Sequence, residues 1–71
     1  MSFDYSKLKG RIIEKVGTLG KFAEAMGWTV QTQQKKLSGR IPWTQKDMST
    51  AIRVLDLEID DIPAYFFAVK V

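Results

Sequence analysis

Apolar residues recur at helical spacing in successive stretches of the chain, and between them stand residues that cap or break helices. Tyr5, Leu8, Ile12 and Val16, with Ile13 beside them, form one stripe, while Lys7, Arg11, Glu14 and Lys15 occupy the wet side. Asp4 is placed to cap this first helix at the positive end of its dipole, and Phe3 and Leu8 hold the two positions of a hydrophobic staple. Gly10 lies inside the pattern, where it weakens a helix by roughly 1 kcal/mol relative to alanine, and it predicts close packing of another element at that point. Gly17 ends the helix.

Residues 18–39, TLGKFAEAMGWTVQTQQKKLSG, predict two short helices joined by a tight turn. Thr18 caps the first, which carries Leu19, Phe22, Ala23 and Met26 inward; Gly27 supplies the left-handed turn, and Thr29 caps the second. Trp28, just before that cap, reads as a buried plug between the two helices. Residues 30–37 are polar, with Val30 and Leu37 at the ends and Ser38-Gly39 closing the helix. Pro42 bars helical continuation through the short connection at residues 40–43. Thr44 and Asp47 then resemble a capping box, Trp43 and Met48 a second staple, and Met48, Ala51, Ile52 and Leu55 a clean fourth stripe. Asp60 or Asp61 caps a last short helix with Pro63 in its first turn and Ile62, Tyr65 and Phe66 facing the core. Residues 67–71 partly alternate, which suits either a further helical turn or a strand that pairs with a partner chain, and this tail is the best candidate for self-association as a homodimer. Residues 1–71 thus predict one all-α domain, a compact bundle of five short helices in which helices two and three form a helix-turn-helix.

Composition narrows what such a domain does. With 71 residues it is near the lower size at which a core holds a fold unaided. Histidine and cysteine are absent, which removes disulfides, the common zinc sites and the usual nucleophile–base pairs of enzymes. The paired carboxylates Asp56/Glu58 and Asp60/Asp61 stand at helix boundaries, where capping accounts for them. No catalytic residue, metal, cofactor or small-molecule substrate is expected. No stretch approaches the roughly 20 apolar residues of a membrane span, and residues 1–10 lack a signal peptide's apolar core, so the expected setting is the cytoplasm and no membrane partner.

Charge is split along the chain. Residues 1–46 carry nine lysines and arginines against three acids, and residues 47–71 two against five. The basic half contains the helix-turn-helix, an arrangement suited to meeting a polyanion in one orientation.

The segments FDYSKLKGRIIEKVGT, FAEAMG, KKLSG and YFF, and above all an F-A-x-x-x-G turn before a Thr-capped third helix, resemble the small helix-turn-helix regulators of temperate bacteriophages, of the Cro-like and repressor type. The resemblance spans almost the whole chain and implies a lambda-repressor-like fold. It also implies a transcriptional regulator of the lysis–lysogeny switch in a bacterial host that binds operator DNA through helix three. Carried over residue by residue, Val30, Gln31, Thr32, Gln34 and Lys35 reach base edges. Thr29, Lys36 and Arg40 contact phosphates. Within this scheme Gln31 is able to pair with adenine, Lys35 with guanine, and Val30 with a thymine methyl.

Three positions depart from the family pattern. Leu19 stands where many members have a phosphate-binding Gln, and Gln33 and Lys36 stand at helix-three positions that are usually apolar and packed inward. An unpaired buried amide or ammonium costs several kcal/mol, so a rotated helix, edge-lying stems, or packing carried by Val30 and Leu37 would be required. If Leu19, Val30 and Leu37 are exposed instead, they make an apolar patch with a basic rim, suited to a protein partner. The alternative expectation is therefore an antirepressor, a modulator of repression that binds the phage repressor and covers its DNA-binding surface.

Overall fold

The computed structural model describes residues 3–69. Five α-helices succeed one another: α1 (Ser6–Val16), α2 (Leu19–Met26), α3 (Val30–Leu37), α4 (Gln45–Leu55) and α5 (Ile62–Phe66), with a 3-10 turn at Ile59–Asp61 before the last. Among the described residues there is no strand, only an isolated antiparallel bridge between Phe3 and Val69. The all-α, five-helix architecture read from the periodicity is the one observed.

Local chemistry accounts for most boundaries. The Thr18 and Thr44 hydroxyls accept from the amides of Lys21 and Asp47 at 3.1 and 3.0 Å, and the Thr44 amide in turn donates to the Asp47 carboxylate, completing the capping box. At the N-terminus the cap lies one step off the expected place. Asp4 accepts from the Ser6 amide and hydroxyl, so it orders the turn ahead of α1, and Tyr5 takes the cap position without a side-chain bond. Asp61 likewise holds the amide of Glu58 before the 3-10 turn and makes no side-chain cap on α5.

The apolar stripes converge. Tyr5, Leu8, Ile12, Phe22, Leu37, Trp43, Ala51, Leu55, Leu57 and Phe66 form one buried cluster, with α1 against α2, α4 and α5, and α2 bridging α3 and α4. Two expectations are corrected. Nothing comes within 4 Å of a Cβ placed on Gly10, so no neighbouring element requires that glycine. The tail turns back on its own chain: the Asp4 amide donates to the Ala68 carbonyl at 2.6 Å, beside the Phe3–Val69 bridge. The described part of the tail is therefore engaged within the chain; residues 70–71 lie outside the described residues.

Candidate functional site

The α2–turn–α3 unit is built as its residue types dictate. Gly27 takes φ 78°, a left-handed conformation, and its amide and that of Trp28 close on the last carbonyls of α2. Thr29 restarts the chain by accepting the Thr32 amide at 3.1 Å, and its hydroxyl donates to that of Thr32. Trp28 is half-buried and not a fully enclosed plug: its ring lies 6.3 Å from Phe22 of α2 and 5.3 Å from Trp43 of the connection after α3.

Gln33 and Lys36 point inward, 1% and 8% exposed. Neither rotation of α3 nor edge-lying stems is needed, because the fold supplies partners. Trp28 Nε1 donates to Gln33 Oε1 at 3.0 Å, and Gln33 Nε2 donates to the Leu19 carbonyl at 2.7 Å. One amide thereby ties the turn and the start of α2 to the middle of α3. Lys36 Nζ donates to Asp47 Oδ2 and lies 5.0 Å from the Trp28 ring centre, while its carbonyl accepts from Trp43 Nε1. Among the described residues no buried side-chain nitrogen or oxygen lacks a partner. For Asp47, burial alone would raise the carboxyl pKa; hydrogen bonds from Lys36 and Thr44 and the lysine's charge outweigh it and hold the group below its ordinary value.

These contacts correct two assignments. Lys36 is not a phosphate contact, since its ammonium is committed to Asp47 beneath the surface. Leu37 is 6% exposed and belongs to the core, so it takes no part in an apolar surface patch. Thr32 is half withdrawn, and the Thr29 hydroxyl is engaged in the cap.

What remains outside forms one face. Gln31, Gln34, Lys35, Ser38 and Arg40 line a shallow groove of about 360 Å³. Arg40 is brought there by Gly39, at φ 83°, which folds the chain back so that the Arg40 amide bonds the Lys35 carbonyl. Ser38 was not expected in the groove; its hydroxyl donates back to the Lys35 carbonyl, the local contact open to a serine at a helix end. Val30 and Leu19, the first residues of α3 and α2, are 49% and 37% exposed, and the Gln33 bond to the Leu19 carbonyl ties the two helices one turn past Val30. The face thus offers two amides, a hydroxyl and two cations with an apolar edge. Among the described residues no group of three or more acidic side chains is arranged to hold a metal, and no helix is long and apolar enough to cross a membrane.

Comparison with known proteins bears on this face. Residues 1–69 match the family described as "Protein of unknown function (DUF739)". The whole chain superposes on 96% of the solution structure of the modulator of repression (MOR) of the temperate bacteriophage TP901-1 from Lactococcus lactis, with 46% identity and a TM-score of 0.84. No curated protein matches. The chain is therefore similar throughout its length to a temperate-phage regulator.

Proposed function

The chain belongs to the DUF739 family, and we propose that within it the protein is a modulator of repression: it binds the repressor of its phage and withholds it from the operator. The observation that carries this reading is the full-length 46% identity to a phage modulator of repression. The exposed Leu19 and Val30, beside amides and cations that are free to pair, have the mixed composition of a transient protein interface. With Leu37 in the core, the apolar part of that interface rests on Leu19 and Val30.

A gel shift with operator DNA, repressor and increasing amounts of this chain tests the reading. Repressor is expected to leave the DNA as a complex with the chain forms. Leu19→Gln is expected to weaken that complex roughly tenfold, the scale of one apolar contact at an interface. Repressor that stays on the operator at saturating amounts of the chain overturns the proposal.

Direct operator binding through α3 is a second reading, favoured by one observation: Gln33 and Lys36, the residues that set helix three apart from the family pattern, are inward and satisfied. Gln31, Gln34, Lys35 and Arg40 are left outward on one groove, amides for base edges and cations for phosphate or guanine. Two cations predict an affinity that falls with salt at a log–log slope of roughly −2 per chain. Leu19→Gln separates the readings, since it adds a phosphate donor while removing an apolar contact. Footprinting with the protein alone at low salt decides this one, and an unprotected operator rules it out.

A further inference from the structure

The α3 groove does not end at Arg40. Gly39, between the groove-lining Ser38 and Arg40, is also part of the wall of a second concavity, of about 270 Å³, so the two meet at this turn. The second concavity is aromatic. Tyr5, Trp43 and Phe66 are its buried parts, and Phe3 and Phe67, 42% and 47% exposed, stand at its rim. Its rings brace one another edge to face, Trp43 against Phe66 at 5.1 Å and Phe3 against Phe67 at 5.6 Å. The indole N–H of Trp43 is committed to the Lys36 carbonyl. The backbone bond from Asp4 to Ala68 holds the two rim segments together.

Size and chemistry limit the occupant. The volume falls just below the roughly 300–1,000 Å³ typical of small-molecule sites, and no charged side chain lines the aromatic wall to orient such a ligand. An apolar wall is equally unsuited to the anionic backbone of a duplex. One large aliphatic or aromatic side chain fits it. Because Gly39 of this groove stands in the chain between Ser38 and Arg40 of the α3 groove, the natural source of that side chain is whatever the α3 face binds.

We propose that this groove receives a large apolar side chain of the phage repressor, as the far end of the interface that begins at Leu19 and Val30. The proposal rests on the repressor-binding reading above. Lys35 and Arg40 line the neighbouring polar groove, so the repressor segment carries an acidic or amide side chain next to its apolar one. The aromatic groove anchors the complex, and the polar groove beside it sets its register.

Calorimetric titration of full-length repressor into the intact chain tests this. Phe67→Ser is expected to weaken binding roughly tenfold or more, the behaviour of an aromatic anchor, with the thermal midpoint little changed because the ring is half exposed. Ile59→Ser, at the 74%-exposed position on the 3-10 turn, is expected to bind like the unmutated chain. Unchanged affinity for Phe67→Ser alongside a loss for Val30→Ser overturns the groove proposal and leaves repressor binding intact. No binding by the unmutated chain overturns both. A readout free of substitution is the ¹³C-labelled methyl of Met48, which lines the groove. It is expected to show cross-peaks to repressor protons in the complex, and their absence in a saturated complex overturns the proposal even if Phe67→Ser misfolds.

Discussion

Phe22→Ala is expected to leave the chain largely unfolded at growth temperature. Phe22 is fully buried, and its ring lies against Trp28, which in turn packs on Trp43, so its removal opens a void where α2, the turn and the α3–α4 connection meet. Deleting a buried phenylalanine ring costs about 3–5 kcal/mol, and a core of this size supplies a total of about the same magnitude. The two quantities nearly cancel, so the outcome is loss of the folded state and not a small shift in its midpoint. Far-UV circular dichroism and a urea titration measure it. A cooperative transition close to that of the unmutated chain would show instead that the site collapses around the void at little cost.

Asp47→Ala is expected to destabilise the fold by roughly 3–5 kcal/mol, the cost of leaving a buried partner charge alone, because the Lys36 ammonium would remain beneath the surface without its carboxylate. The same substitution removes one half of the α4 capping box. Adding Lys36→Met should restore most of the loss, since an apolar side chain of similar length needs no partner there. If the double variant is no more stable than Asp47→Ala, the ion pair is not the cause.

Acid provides an independent check on Asp47. Its carboxyl pKa is lower in the folded chain than the ordinary value of 3.8, so between the two values the unfolded chain binds more protons. The stabilisation is therefore complete above about pH 4, the ordinary carboxyl range, and is lost as the pH falls through the lower folded value. Urea titrations at pH 5 and pH 3 should show a smaller acid-induced loss in Asp47→Asn than in the unmutated chain. Equal losses would mean that other carboxyls carry the acid sensitivity.

Much of the fold was legible along the chain, and the legible parts share a cause. The Thr18, Thr29 and Thr44 caps, the left-handed Gly27 and the stripes of α1, α2 and α4 depend on residues within one or two turns of one another, so spacing alone specifies them. The course of the tail has the opposite cause. Residues 67–69 are held by Phe3 and Asp4, more than sixty positions earlier in the chain, and alternation by itself cannot say which strand-like partner is met.

The candidate site divides the same way. Gln31, Gln34, Lys35 and Arg40 fall on the outward face of α3 as the cap at Thr29 and the helical period require. Gln33 and Lys36 turn inward where the family pattern has apolar residues, which the helical period alone makes look costly. One signal for Gln33 was available: a buried indole needs an acceptor, and Gln33 stands five residues past Trp28. For Lys36 no local signal exists, since Asp47 reaches it from the next helix.

Residues 18–39 by themselves determined a capped, two-helix unit with an amide-rich and basic outer face, because helix period, capping and turn chemistry act over a few residues. Only the tertiary structure decided which of its polar side chains are free to meet a partner. Burying an amide or an ammonium is tolerable only where another element presents the complementary atom. Here the Leu19 carbonyl and the Asp47 carboxylate do so, turning Gln33 and Lys36 into supports of the core. The aromatic groove beside α3 is likewise a product of assembly, formed where the N-terminal residues, the α3–α4 connection and α5 come together.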